Sequence, residues 1–161
     1  MQRYFYFGFF MLILAGVITW FVYRTDAPKE HQPAVQIMTT AEFGGVSLRI
    51  DYATTTEARE RGLGGRTSIP SDYGMLFAFQ KDGYYGFWMK DMLVPIDIFW
   101  LDSKGQVISI SQDVAASTYP SVFYPSSPAR YVLETSAGFA HEHSISTGTP
   151  LLLKNFPIVS E

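Results

Sequence analysis

The chain has 161 residues, a formal net charge of −3 at pH 7 and no cysteine. This length fits one globular domain, and the mild acidity gives no basic surface that could hold a nucleic-acid backbone, so we expect no nucleic-acid partner. The lack of cysteine excludes disulfides, thiolate nucleophiles and cysteine-ligated zinc or iron–sulfur sites.

The N-terminal segment is unusually apolar. From Tyr4 to Tyr23 no residue is charged, and Arg3 and Arg24 flank this run. A helix of about 20 apolar residues crosses the hydrocarbon layer of a bilayer, and aromatic rings near both ends are typical of its interfaces. We therefore predict that residues 1–23 form a transmembrane anchor, with the lipid bilayer as the partner of residues 4–23.

A cleaved signal peptide is the alternative for this segment. Residues 19–25 read TWFVYRT, with bulky side chains where a signal peptidase needs small ones, so we favour an uncleaved anchor. A three-residue N-terminal tail carries no folded domain, which favours a cytoplasmic N-terminus and a globular domain outside the cytoplasm, in the periplasm or at the cell surface. The polar, proline-containing residues 24–34 are predicted to be a tether, and residues 35–161 the domain.

Beyond the tether, short apolar runs separated by turn residues favour strands over helices. The turn Asp102–Gly105, with glycine available for positive φ, is predicted to close a hairpin. The predicted strands are Val35–Met38, Val46–Tyr52, Met75–Phe79, Tyr84–Met89, Ile96–Leu101, Val107–Ser111, Tyr131–Thr135 and Leu151–Lys154.

Two short helices interrupt these strands. Thr54–Glu57 matches a capping box, Ala58–Arg61 are good helix formers, and Gly62 stands where a left-handed C-cap is expected. A second helical turn is predicted over Ala137–His143. The predicted class is mainly β, leaning to α+β: a compact, largely antiparallel twisted sheet or partly closed barrel with one or two short helices, behind the transmembrane helix.

Two motifs that often bind ions or phosphates do not fit those functions here. The glycines of Gly62–Ser68 follow a helix and lack the spacing of a phosphate-binding loop, so a helix C-cap and turn is favoured, with an anion nest including Arg66 as the alternative. The pair His141 and His143 has no third ligand at matching spacing. We predict no metal site and no cofactor.

The segment Phe87–Leu101 is the densest in candidate site residues. In an extended strand Trp88 and Lys90 share one face. Asp97 falls on the apolar face of the next strand, where a carboxylate needs an ion pair with Lys90, Arg66 or Arg130, or backbone N–H donors. The functional alternative is a cleft for an anionic or sugar-like ligand. Its candidate ligand-binding residues are Trp88, Lys90, Asp97, Arg130, Glu134 and Arg66.

Several ordered fragments resemble the domain-of-unknown-function 192 family over about Val46–Leu153. The resemblance implies a compact, β-rich single domain, commonly behind a signal or anchor segment, with no established activity, cofactor or catalytic residue. The family's Phe-Trp-Met-Lys-Asn-Thr run appears here as Phe87–Met92, with Asp91 and Met92 in the last two positions. The fragments are Arg59–Pro70, Gly74–Phe79, Phe87–Ile110, Tyr124–Glu134 and Ile145–Gly148.

The anchor and the candidate cleft favour a membrane-tethered extracytoplasmic module that binds a small ligand or an envelope protein. The first alternative is an enzyme that uses Asp97 and Glu134 with Lys90 and Arg130. The second is a structural envelope protein. We lean against an enzyme because the sequence holds no complete catalytic constellation.

Overall fold

The computed structural model describes residues 39–157. The predicted anchor, the tether and the predicted strand Val35–Met38 lie outside these residues. None of the helices in residues 39–157 has the length and apolar character of a membrane span.

The described part of the chain contains nine strands, two short α-helices and one 3-10 turn, Ala116–Thr118. The helices are α1 (Thr56–Arg61) and α2 (Phe139–Glu142). The strands are β1 (Thr39–Phe43), β2 (Val46–Ala53), β3 (Tyr73–Gly83), β4 (Phe87–Trp88), β5 (Ile96–Leu101), β6 (Val107–Val114), β7 (Val122–Phe123), β8 (Ala129–Ser136) and β9 (Leu151–Leu152).

Seven of these strands form one sheet in the order β6-β5-β8-β3-β2-β1-β9. All neighbouring strands are antiparallel except β2 and β3, which are parallel and joined through α1. The sheet curls into a half-barrel, and Gln106, just before β6, bridges Pro150, just before β9. β4 and β7 pair separately as a two-stranded ribbon. The prediction of a mainly β domain, a largely antiparallel twisted sheet or partly closed barrel with one or two short helices, is confirmed for this part of the chain, where the sheet is a half-barrel and the helices are two.

Both faces of the sheet are covered, which explains why its central strands are continuous apolar runs. Every residue of Ile96–Leu101 is buried. One face packs Phe99 and Leu133 against Phe43 and against Phe139 of α2. The other face, here called the cleft face, carries a second core that includes Phe77, Trp100 and Val132 together with Leu63 and Met89.

The predicted strand Tyr84–Met89 is wrong in its first half, because only Phe87–Trp88 pair as a strand. The Tyr85 carbonyl accepts a hydrogen bond from the Trp100 indole N–H at 2.8 Å, and the Tyr85 ring stacks on Phe79. These contacts with the sheet take the place of ladder bonds. The strands β1 and β7 were not predicted, because a polar five-residue strand and a two-residue strand carry little apolar pattern.

Helix α1 begins one residue later than its predicted capping box. The N-cap is Thr55, whose hydroxyl accepts from the Ala58 N–H at 3.2 Å, and Gly62 ends the helix at a φ of 51°. The next backbone amides, which the anion-nest alternative requires, all donate within the protein: Gly64 to Arg61, Gly65 to Asp91 and Arg66 to Leu63. The C-cap and turn interpretation is therefore confirmed, but Gly62 has a ψ of −134° and so does not adopt the left-handed helical conformation that was predicted for the cap.

Candidate functional site

A cleft of about 580 Å³ opens on the cleft face of the sheet, next to α1 and the ribbon strand β4. Its floor comes from the central strands β3 and β8, and its walls come from α1 and the segment around β4. The lining residues are Thr56, Arg59, Glu60, Arg61, Gly62, Leu63, Phe77, Phe79, Tyr85, Gly86, Phe87, Trp88, Lys90, Met92 and Glu134.

Glu134 is the acidic residue of the cleft floor. In β8 it lies opposite Met75 of β3 and Ile98 of β5, so its carboxyl group emerges among apolar side chains. The residue is only 5% exposed. Within residues 39–157 no hydrogen bond or ion pair reaches this carboxyl group, and its Oε2 atom is fully covered. A methyl group added at Gly62 would lie 3.6 Å from Oε2, which places the C-cap of α1 against the carboxyl.

This environment changes the charge of Glu134. Burial raises the pKa of its carboxyl group to about 8. Since a low-dielectric surrounding disfavours the carboxylate, the group is mostly protonated at neutral pH. A protonated carboxyl has one O–H donor as well as acceptor oxygens. The cleft floor therefore presents a neutral hydrogen-bonding group inside an otherwise apolar surface.

Aromatic rings form much of the cleft wall and hold one another in place. Phe87 meets Phe77 edge to face at a centroid distance of 4.8 Å, and Phe79 stacks on Tyr85. The Tyr85 hydroxyl donates to the Lys81 carbonyl at 2.6 Å. Trp88 remains 50% exposed, so part of its ring is free to contact a ligand. Interlocked rings of this kind give a wall whose shape exists before any ligand arrives.

Three of the predicted site residues, Trp88, Lys90 and Glu134, are brought together in the cleft. Asp97 is not among its lining residues. It pairs in register with Thr135, whereas its neighbour Ile98 pairs with Glu134, so Asp97 and Glu134 point to opposite faces of the sheet. The structure therefore does not place these two carboxyl groups at one site.

The buried Asp97 side chain connects elements of the opposite face. Its two carboxylate oxygens accept from the backbone N–H groups of Asp113 at 2.7 Å and Ala140 at 2.8 Å. These bonds join β5 to β6 and to α2, and they satisfy the buried charge without a cation. Of the partners expected for Asp97, the backbone donors are the ones observed, and no ion pair with Lys90, Arg66 or Arg130 forms among the described residues.

Arg130 and Arg66 also lie outside the cleft lining. Arg130 shares a face of β8 with Glu134, but its Nε lies 2.7 Å from Oδ1 of Asp82. Arg66 donates to the Tyr73 hydroxyl at 3.0 Å and lies 3.7 Å from the Asp51 carboxylate. The Tyr73 hydroxyl in turn donates to Asp51. These contacts hold the glycine-rich turn on β2 and β3, and burial raises the pKa of Tyr73 well above its usual value.

The family model for DUF192, described as "Uncharacterized ACR", matches residues 37–153. The chain belongs to the DUF192 family. This confirms the resemblance seen in the sequence and extends it toward the N-terminus. No curated protein matches the chain significantly.

Two solved structures share the DUF192 fold of this chain. One is a Sinorhizobium meliloti protein provisionally described as a transcription regulator, 29% identical, with a TM-score of 0.63 over 66% of this chain and 81% of that one. The other is a protein of unknown function from Novosphingobium aromaticivorans, 23% identical, with a TM-score of 0.67 over 80% of this chain and 94% of that one. Both likenesses support the fold.

Sequence reasoning missed several lining residues of this DUF192 cleft. Glu60 and Arg61 sit in the charged run of α1, which looks in sequence like an ordinary solvated helix face. Phe79 lies within β3 and Tyr85 just after its end, and only the stacking of their rings shows that both belong to the wall. The closeness of Gly62 to Glu134 gave no sequence signal, because the two residues are far apart in the chain.

The raised pKa of Glu134 predicts a pH dependence of stability. Folding moves this pKa from 4.5 to about 8, so the folded state binds more protons than the unfolded state between these values. The contribution of Glu134 to the free energy of unfolding therefore falls as the pH rises from about 4.5 to 8. Glu134→Gln removes this contribution. The unfolding free energy of the variant minus that of the wild type should therefore increase by roughly 3–5 kcal/mol between pH 4.5 and pH 8.

Urea unfolding of the full-length protein between pH 4.5 and 8.5 measures this difference. The exposed variant Glu60→Gln serves as the control and should follow the wild-type curve. Parallel curves for wild type and Glu134→Gln would contradict the assigned environment of Glu134.

Proposed function

We propose that this DUF192 protein binds a small anionic or sugar-like ligand in the cleft beside α1 and β4, while its N-terminal segment tethers it to a membrane with the domain outside the cytoplasm. The observation that carries the ligand-binding proposal is the buried carboxyl group of Glu134. Buried polar groups are nearly always hydrogen-bonded, and leaving one without a partner costs about 1–3 kcal/mol. A ligand in the cleft supplies the missing partner.

The walls of the cleft fit such a ligand. The half-exposed ring of Trp88 offers a flat apolar surface for one face of a ring-shaped ligand. Lys90 places a cation beside it for a charged or polar substituent. Apolar walls with a few convergent polar groups are the usual composition of small-molecule sites.

The binding function is favoured over the enzymatic alternative by the sheet register. Asp97 and Glu134 lie on opposite faces, and the Asp97 oxygens are both occupied by backbone donors. An acid–base pair of these two residues therefore has no common substrate position. The provisional description of the Sinorhizobium meliloti protein is not carried over, because the acidic net charge of this chain does not favour binding to nucleic acid.

Ligand-induced thermal stabilisation of the purified full-length protein tests the binding function. The panel contains neutral sugars, uronic acids, small carboxylic acids and inorganic phosphate. At least one class should raise the melting temperature. Trp88→Ala and Lys90→Ala should each weaken the apparent affinity by about tenfold, as expected for the loss of about 1.4 kcal/mol.

Matched controls separate the cleft from general surface effects. Tyr124→Ala and Lys81→Ala remove an exposed aromatic ring and an exposed cation that do not line the cleft, so the ligand affinity should not change. If no compound in the panel stabilises the protein, the ligand-binding function fails. A stoichiometric protein neighbour crosslinked in intact membranes would then favour the structural envelope role.

The membrane tether has its own test. The full-length protein, expressed in bacterial cells, should stay in the membrane pellet after alkaline carbonate washing, because the uncharged run Tyr4–Tyr23 holds it in the bilayer. Protease added to spheroplasts should digest the domain from outside. Leu14→Arg should shift the protein toward the carbonate-soluble fraction, since a central arginine opposes insertion by about 2.5–3.5 kcal/mol. Complete release of the wild-type protein by carbonate would contradict the tether.

A further inference from the structure

The arginines of residues 39–157 differ in whether their guanidinium groups have a partner within the protein. Four have partners for their guanidinium groups: Arg49 with Asp72, Arg59 with the Thr54 carbonyl, Arg66 with Tyr73 and Asp51, and Arg130 with Asp82. Within these residues the guanidinium of Arg61 alone has no such partner, and Arg61 lines the cleft. The Lys90 ammonium, also in the lining, likewise has no ion pair within residues 39–157.

The charged groups around Glu134 give the cleft a positive balance. Helix α1 contributes Arg59, Glu60 and Arg61, and the segment after β4 contributes Lys90. The neighbouring strands β3 and β5 contribute apolar side chains, and Tyr85 is the other titratable residue in the wall. The Arg59 guanidinium donates to backbone carbonyls. Arg61 and Lys90 are therefore the two cations left to contact a ligand, and the exposed carboxylate of Glu60 offsets one of their two positive charges.

The protonation state of the Glu134 carboxyl group then determines which class of ligand the cleft favours. A protonated carboxyl donates a hydrogen bond to an anionic oxygen, whereas an ionised carboxylate repels it. A cationic ligand would reverse this preference, but it would have to approach past Arg61 and Lys90. Positive charge at the cleft with a neutral donor in its floor is complementary to an anion.

We propose that the cleft ligand is a carboxylic acid in its anionic form, such as a uronic-acid sugar, bound by Arg61 and Lys90 and by a hydrogen bond donated from the carboxyl group of Glu134. This inference rests on the proposed binding function and specifies its ligand class. No bond is made or broken. The proton stays on Glu134, so binding requires the protonated protein.

The proton requirement sets the direction of the pH dependence. Below the pKa of Glu134, which burial raises to about 8, the donor is present and the affinity is constant. Above it, the protonated fraction falls about tenfold per pH unit, and the affinity falls with it.

Binding of glucuronate and glucose to the full-length protein at pH 6.5 and pH 9 tests the inference. These probes are matched sugars that differ in the carboxylate. The wild type should bind glucuronate at least about tenfold more tightly than glucose, and about tenfold more weakly at pH 9 than at pH 6.5. Glu134→Gln, whose amide keeps a donor at both pH values, should bind glucuronate with equal affinity at the two. Arg61→Ala should weaken glucuronate binding at both.

Glu57→Gln is the control, because Glu57 lies on α1 outside the cleft lining, and it should keep the wild-type pH profile. Affinity that rises with pH, or equal affinity for the two sugars, would overturn the anionic class while leaving the binding function intact. The same holds if neither glucuronate nor a small carboxylic acid of the panel binds, but a neutral sugar or inorganic phosphate does. If nothing in the panel binds at either pH, both the inference and the binding function are overturned.

Discussion

The placement of one carboxyl group by the register of β8 is the constraint on which the rest of the site depends. Alternation along this central strand directs Leu133 into one core and Glu134 onto the cleft face, opposite Met75 and Ile98. The same sheet must pack on both faces, so an ionisable side chain at this position loses its water without gaining a protein partner among residues 39–157. The raised pKa of this carboxyl group follows from this arrangement.

The end of helix α1 completes the site. Gly62 adopts a φ of 51° at the C-cap, a conformation that glycine reaches without strain. It also lies close to the floor: an added Cβ would be 3.4 Å from the Phe77 ring and 3.6 Å from Glu134 Oε2. The residue that ends the helix is therefore also the residue that lets the helix approach the carboxyl group. The preceding residue, Arg61, lines the cleft, and among residues 39–157 its guanidinium group has no partner.

Much of the fold follows from local pattern. The apolar run Ile96–Leu101 and the turn Asp102–Gly105 predict the hairpin of β5 and β6. A strand buried on both faces needs no alternation of apolar and polar residues. In the turn, the Asp102 carboxylate accepts from the backbone amides of Lys104 and Gln106. Prediction fails where tertiary contacts replace local ones. Tyr85 is aromatic and stands in a run predicted to be a strand, yet its carbonyl accepts from the Trp100 indole N–H instead of from a strand neighbour.

The site was only partly predictable for a similar reason. Alternation shows that Asp97 sits on one face of its strand, but it does not show which face carries the cleft. Arg130 and Arg66 were predicted to bind the ligand, but the structure places both outside the cleft lining. Their acidic partners, Asp82 for Arg130 and Asp51 for Arg66, are distant in the chain and so could not be identified from local sequence. Glu134 was found because an acid inside the run Tyr131–Thr135 stands out against its neighbours, although its lack of a partner is a property of the folded structure.

The most direct measurement of the central claim is a carbon-13 NMR titration of the Glu134 side-chain carboxyl in the full-length protein without ligand. The account predicts a carboxyl resonance that stays at the position of the protonated form through neutral pH, with a midpoint near the value of about 8 set by burial. A midpoint close to the ordinary value of 4.5 would show that the carboxyl is solvated or paired, and it would contradict the account.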